Sequence, residues 1–279
     1  MTDSFVTSGH DRSVPVSAAM PDVQGSLDER NIAINQVGVK GVRYPITLVD
    51  PATGGEQHTV AMVNMYVGLP ADQKGTHMSR FLEVLNAHHR SIRSDDVMAM
   101  CREMKKRLGA DEAHLELTFP YFIDKAAPVT GQVGKLDVEV TFTCTSGATD
   151  DFVLGVKVPA TSLCPCSKEI SEYGAHNQRC EMLVEVRVAE GEVMWVEDVV
   201  AVAERAASTQ VFSVLKRPDE KYVTEAAYDN PKFVEDTVRD LALGLEAEER
   251  VVWYRVNSEN FESIHNHNAF ACIERDKRG

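Results

Sequence analysis

The chain has no long apolar run. None of its hydrophobic stretches approaches the roughly 20 residues that a helix needs to cross a bilayer, which excludes a helical membrane span. The N-terminal stretch MTDSFVTSGHDRSVPVSAAMPDVQGS lacks the apolar core of a secretory signal. Residues 1–25 read as a polar, flexible tail, and the expected location is the cytoplasm. Positive charge is also scarce. Lys and Arg total 29 against 43 Asp and Glu, a formal net charge of −14. Such a balance argues against general binding to nucleic acid or to an anionic membrane surface. An anionic small substrate is compatible with it, given a local basic pocket. Cysteines are few, six in 279 residues, and follow no regular framework. A disulfide scaffold of the small secreted kind is therefore excluded.

What is present suits a soluble globular protein: 43% hydrophobic and 26% charged residues in a chain long enough for a sizeable core. Period-two alternation predicts strands over 32–48, 58–68, 112–122, 135–144, 151–160, 181–189, 249–257 and 267–274. Helical periodicity predicts helices over 78–89, 94–108, 196–214 and 231–245. Each half then reads strand, strand, helix, helix, strand, strand. The apolar positions Val97, Cys101, Met104 and Leu108 recur as Val234, Val238, Leu241 and Leu245, an offset of 137 positions (97 to 234). HLELTF at 114 and VVWYRV at 251 share that offset. A duplication explains this, although any amphipathic helix repeats such a spacing. Gly109 is placed to end one helix. Asn230-Pro231 reads as the start of another. The expected class is α+β, with helices on one face of antiparallel sheets. The expected units are about 26–147 and 148–279.

Chemistry concentrates in SLCPCSKEISEYGAHNQR, residues 162–179. Pro165 should hold Cys164 extended, so that Cys164 and Cys166 face one cavity. The turn over 171–175 would return His176 to them. Thiolate and imidazole suit zinc or ferrous iron, and a carboxylate widens the choice to manganese. The spacing falls short of a four-ligand structural zinc pattern, and a plain loop is the alternative. The other four cysteines, Cys101, Cys144, Cys180 and Cys272, read as small buried hydrophobes.

In a second cluster, His265 and His267 would share one side of a strand, with Glu262 three residues before His265; a solvated strand edge is the alternative. In KRPDEKY, Lys216 and Arg217 precede Pro218, which should end a helix and leave Glu220 on a loop. The basic pair suits phosphates or is a solvated charge run. Glu235 falls in the first turns of the helix after Asn230, where acids serve the dipole. Lys74, His77 and Arg80 gather at a helix entrance that suits anions; Thr76 or Ser79 would cap it.

Taken together, SLCPCSKEISEYGAHNQR, KGTHMSRF and ESIHNHNAF closely resemble the type IB GTP cyclohydrolase family, from about Met20 to the C-terminus. The resemblance implies the tunnelling fold, in which tandem ββααββ units close their antiparallel sheets into a barrel on oligomerisation, as a homotetramer. It implies conversion of GTP and water to 7,8-dihydroneopterin triphosphate and formate, the first step toward tetrahydrofolate and queuosine-type deazapurines. It also implies a divalent metal: manganese, zinc or iron. Such a metal lowers the pKa of water, which attack on C8 of guanine requires. By resemblance, Cys164, His176 and Glu220 hold the metal, with Glu262 and His265 in or beside its sphere. Cys164, Cys166 and His265 are the catalytic residues, Cys166 as the acid/base thiol. Glu235 binds the guanine edge, and Lys74, His77, Arg80, Lys216 and Arg217 are the remaining substrate contacts. Two rivals are a nitrile reductase of the same superfamily, with a nucleophilic cysteine and NADPH, and a non-enzymatic zinc module.

The two cysteines can exchange roles, and substitution separates them. Cys166→Ser should leave a folded, metal-loaded protein that binds GTP but turns over about 100-fold or more slowly, as for loss of a general acid/base. Metal content, GTP affinity and formate release on one preparation check this. Loss of metal from Cys166→Ser with retention by Cys164→Ser would reverse the assignment.

Overall fold

The computed structural model describes residues 21–49, 55–90 and 92–278. Most of the expected N-terminal tail, residues 1–20, lies outside them. The first half of the chain runs β1 (Ile34–Val49), β2 (Glu56–Leu69), α1 (Met78–His88), α2 (Ser94–Leu108), β3 (Ala113–Ala126) and β4 (Val133–Ser146). The second runs β5 (Asp150–Leu163), α3 (Pro165–Ile170), β6 (Asn177–Val188), α4 (Val196–Ala206), β7 (Thr209–Gln210), α5 (Arg217–Asp229), α6 (Val234–Glu246), β8 (Val251–Asn260) and β9 (Ala269–Asp276). The strands form a single antiparallel sheet in the order β1-β2-β3-β4-β5-β6-β8-β9, with β7 paired to β5. A tight turn joins the halves, with Ser146 opposite Asp150, so the ladder is unbroken between them. The architecture is α+β.

Alternation decides which sheet face is covered. On β2, Ala61, Val63, Met65 and Val67 are buried, and the residues between them are only half-buried. The same rule puts Leu115 and Leu117 of β3, and Met182 and Val184 of β6, in the core. Helices supply the other side. Val97, Cys101, Met104 and Leu108 form the buried stripe of α2, and Val234, Val238, Leu241 and Leu245 that of α6. The opposite sheet face is polar. It carries pairs such as Asn64 with Glu116 and Thr118 with Thr141. A Lys157–Glu139 ion pair lies on it at 2.7 Å.

Several local expectations are corrected. The predicted helix over 196–214 stops at Ala206, because β7 and an extended segment follow. The loop expected after Pro218 is the helix α5; proline fits its first turn, where no amide donor is needed. Asn230 closes α5 rather than opening α6, whose cap is Phe233, with the Asp236 carboxylate accepting from the Phe233 N–H at 3.0 Å. Neither Thr76 nor Ser79 caps α1; His77 stands at that position without a side-chain capping bond. Gly109 does end α2, in the left-handed region at φ 62°. Cys101, Cys144 and Cys180 are buried as expected, but Cys272 is exposed on the edge strand β9.

Burial predicts the energetic weight of α6. Leu241 is fully buried, whereas Leu243 is 67% exposed. Leu241→Ala should cost about 2–5 kcal/mol through lost transfer energy and the cavity left behind. Leu243→Ala should stay within about 0.5 kcal/mol. Urea unfolding at one protein concentration measures both, and equal losses would contradict this packing.

Candidate active site

The site is built where β5 ends and β6 begins. Leu163 pairs with Asn177 and Ser162 with Gln178, so the connection over 164–176 starts and finishes at one place. The Cys164 N–H donates to the His176 carbonyl at 3.1 Å and closes the loop. Within it, Pro165 starts the short helix α3, and Cys164 is its N-cap, with φ −72° and ψ 118°. The Cys164 Sγ accepts from the Ser167 N–H at 3.4 Å. The Ser167 hydroxyl donates to the Cys164 carbonyl at 3.2 Å and accepts from the His176 N–H at 3.1 Å. One serine thus pins both candidate ligands.

The expectation that both sulfurs face one cavity fails in part. Cys164 is extended, but Cys166 already lies within α3, so the two-residue alternation of a strand does not apply. Cys164 is half-buried and Cys166 is exposed. His265 and His267 sit in the bend between β8 and β9 rather than on a strand. Their exposed rings still share a side, stacked with centroids 5.0 Å apart.

His176 meets two partners. Its Nδ1–H donates to Gln178 Oε1 at 2.9 Å, and Glu262 Oε2 lies 3.8 Å from the same nitrogen. The His176 and Glu262 side chains are 15% and 13% exposed. Gln178 is buried, and its Oε1 also accepts from the Ser263 hydroxyl at 3.5 Å. With Nδ1 committed as donor, Nε2 carries a lone pair free for a metal or a proton. Gln178 was not singled out from the sequence. Its signal was its place two residues beyond His176 in the same motif, on the strand that follows.

The remaining candidates lie on, or just before, α1, α5 and α6. Glu220 is exposed in the first turn of α5, with Lys216 as the N-cap and Arg217 as the first residue. Its neighbour Asp219 is the buried acid. Burial pushes the Asp219 carboxyl up, but hydrogen bonds from Thr130, Lys216 and Val129 outweigh that and hold it well below the usual carboxylate range. Glu235 is exposed in the first turn of α6 and makes no side-chain hydrogen bond or ion pair among the described residues. The α5–α6 connection is tied to the loop's base, since the Lys232 N–H donates to the Leu163 carbonyl at 3.0 Å. Lys74, His77 and Arg80 lie at α1 in the first half. His77 Nε2 is 3.1 Å from Asp22 Oδ1, and Arg80 donates to the Arg107 carbonyl at 3.4 Å.

Among the described residues, no three His, Cys, Asp or Glu side chains come close enough together to hold a metal ion. The assembled pair is His176 with Glu262, with Cys164 on the same loop. A cavity of about 1100 Å³ is walled by Leu163, Ala175 and Asn177, the chain neighbours of Cys164 and His176, and by Tyr173, Arg179 and Tyr228, but none of the candidate residues lines it. Another, of about 510 Å³, lies among Phe119, Phe142 and Trp195 and contains none of the candidate residues.

The type I GTP cyclohydrolase FolE2 family matches residues 20–271. The chain belongs to this family. GTP cyclohydrolase FolE2 of Azoarcus sp. (strain BH72) is 58% identical over 266 residues, covering 95% of this chain and 98% of the relative. GTP cyclohydrolase FolE2 of Geobacter sulfurreducens is 56% identical over 259 residues, covering 93% and 99%. Among solved structures, a uricase from Bacillus fastidious aligns with TM-score 0.53 at 12% identity, over 90% of this chain and 94% of that one. Urate oxidase from Bacillus sp. TB-90 aligns with TM-score 0.50 at 9% identity, over 88% and 100%. At these identities, the likeness is one of fold alone. In FolE2 terms, the 162–179 stretch lies wholly within the matched region.

The Gln178 contact yields a test. Gln178→Leu leaves the His176 Nδ1–H without its acceptor. The ring should lose its fixed tautomer, and affinity for a divalent metal should fall about 10–100-fold, as when an outer-sphere partner is removed. Nitrogen-15 NMR of the imidazole reads the tautomer directly. An unchanged Nδ1–H signature in the variant would remove Gln178 from this role.

Proposed function

We propose that the chain is a GTP cyclohydrolase that converts GTP and water to 7,8-dihydroneopterin triphosphate and formate, at the head of tetrahydrofolate synthesis. The observation that carries the reading is the His176–Glu262 pair, with Cys164 on the same loop as His176, in a chain matched to FolE2 over nearly its whole length. The donor set of thiol, imidazole and carboxylate suits manganese, zinc or iron. Cys164 and His176 would hold the metal, with Glu220, Glu262 or His265 completing the set. A divalent metal there supplies Lewis acidity that lowers the pKa of water.

The chain's own groups account for the other requirements. Ring opening, loss of formate and ring closure each move protons, and an exposed thiol at Cys166, one turn from the loop's base, can give and take them. His265, on the exposed bend, is a second candidate for that work. Glu235 has an uncommitted carboxylate, which suits the paired N–H donors of the guanine edge. Lys216 and Arg217 sit together at the start of α5 and suit the triphosphate. Lys74, His77 and Arg80 form a separate basic group at α1.

Assembly belongs to the same reading. The first half runs two strands, two helices and two strands, and the second keeps that order with α3, β7 and α5 added, which suits tandem ββααββ units divided near residue 147. β1 and β9 lie at the two ends of the strand order, and one sheet face is polar. Edges and a wet face of this kind suit closure of several copies into a barrel, with a homotetramer as the expected form. No helix of the described residues is long and apolar enough to cross a membrane. A cytoplasmic enzyme acting on GTP fits these features and the acidic net charge, without nucleic acid or membrane as partner.

Incubation of purified protein with GTP and a divalent metal should release formate and yield a pterin that fluoresces after oxidation. Stoichiometric metal with no formate would leave a zinc-binding module. NADPH consumption on a nitrile substrate would favour the reductase. Within the active enzyme, Glu235→Ala should raise KM for GTP about 100-fold or more while metal content is unchanged, since a site built to accept specific donors discriminates strongly. Unchanged KM would return Glu235 to the role of a helix-dipole acid.

A further inference from the structure

We infer that Asp219 is a positioning residue for the active site: its buried carboxylate clasps the β3–β4 turn of the first half to the start of α5 and so sets the direction of Lys216, Arg217 and Glu220. The inference rests on the cyclohydrolase reading for what those three residues do. Its geometry stands apart from that reading.

Asp219 is 0% exposed. Its Oδ1 accepts from the N–H groups of Val129 and Thr130, both at 2.9 Å. Its Oδ2 accepts from the Thr130 hydroxyl at 2.7 Å and from the Lys216 N–H at 2.9 Å. Four donors satisfy one carboxylate, three of them from the other half of the chain. A charge is buried only where such donors replace water. The turn that provides them is itself ordered: Ala127 N–H bonds to the Gln132 carbonyl and Gly131 N–H to the Ala127 carbonyl, each at 3.0 Å. Gly131 takes φ 68°, a left-handed value that suits glycine.

Two further contacts hold the segment leading into α5. A Cβ on Gly134 would meet Ser213 Oγ at 2.3 Å, so the backbone of β4 and the 213–214 segment approach as closely as glycine permits. Lys125 Nζ lies 5.3 Å from the centre of the Phe212 ring while forming a buried ion pair with Glu204. The stretch from Phe212 to Asp219 therefore lies along the β3–β4 hairpin, with Asp219 as its end point. Glu220 follows immediately and points to solvent. Its direction and those of Lys216 and Arg217 are consequences of where the first turn of α5 is fixed. A small rotation of that turn displaces all three groups together, and misplacement of about 1 Å can cost about 100-fold in rate.

Asp219→Asn tests this in the full-length protein. The amide cannot accept from the Lys216 N–H with the oxygen that serves Val129 and Thr130. KM for GTP should rise about tenfold or more, as expected when binding groups are misplaced. Hydrogen exchange should quicken at 127–131 and 212–220 and stay unchanged in the β2–β3 ladder. Thr130→Val removes one donor and preserves the fold; it should shift KM in the same direction by a smaller factor. A KM within twofold of wild type for both variants would overturn the proposal. So would exchange that quickens throughout the sheet, which would make Asp219 a stability residue only. Wild-type protein that releases no formate would sink the cyclohydrolase reading instead, and the exchange measurement would still judge the clasp.

Discussion

The register of β5 against β6 is the constraint on which the site depends. Opposite Leu163 stands Asn177, and this pairing brings Cys164 and His176 together across a loop that the Cys164 N–H closes on the His176 carbonyl. Side chains on a strand alternate faces, so a slip of one residue would turn every one over. A slip of β6 would turn Gln178 and Cys180 away from the buried face that they share with Ser162. That slip is opposed by the apolar positions further along the same strands. Val156, Val158, Met182 and Val184 are all fully buried, and a one-residue shift would expose them. The hydrophobic core thus sets the geometry of polar groups at the far end of the ladder.

Polar bonds then finish what the register begins. Asn260, at the end of β8, donates to the Ser162 hydroxyl at 3.0 Å and is itself buried. The Phe261 N–H reaches the Arg179 carbonyl at 3.0 Å. These contacts fix where the chain leaves β8, and two residues later Glu262 stands beside His176. Buried polar groups in such a chain must all be satisfied or each costs about 1–3 kcal/mol. The described residues contain no buried side-chain nitrogen or oxygen without a partner. The arrangement is therefore over-determined. Ser162, Ser167, Gln178 and Asn260 each bind two elements that carry a candidate functional group or adjoin one.

Much of this was legible in the sequence, for a physical reason. Strands with one covered face and helices with one apolar stripe leave clear periods, so β2, β3, α2 and α6 are found where the pattern puts them. The motif around Cys164 and His176 was legible as chemistry because residue types constrain reactivity. α5 was not legible. Its sequence, RPDEKYVTEAAYD, buries only Asp219 and Ala227, so it has almost no apolar stripe to reveal it. Its start is written in Pro218 and in the Asp219 carboxylate that accepts from Lys216, a polar signal that a hydrophobic period does not detect. The same oversight displaced Asn230 from the end of α5 to the start of α6. Cys166 was misplaced because Pro165, read as a stiffener of extended chain, is also the residue best suited to begin a helix.

A relation between the halves emerges from these details. The turn between β3 and β4 receives Asp219, and the bend between β8 and β9 supplies Glu262 and Ser263 to the His176–Gln178 pair. In sheet order these hairpins are the last of each half. One grips the segment that carries Lys216, Arg217 and Glu220, and the other faces the loop that carries Cys164 and His176. The first half has no counterpart of the Cys-Pro-Cys loop, and its own basic group at α1 is engaged elsewhere, His77 with Asp22 and Arg80 with the Arg107 carbonyl. The two halves are thus used unequally. The second half holds the Cys-Pro-Cys loop and the His176–Glu262 pair, and the first provides the backbone donors, Val129 and Thr130, against which the first turn of α5 is aimed. Such aim requires rigidity, and the hairpin supplies it through an uninterrupted β3–β4 ladder running from Ala113–Ser146 to Ala126–Val133.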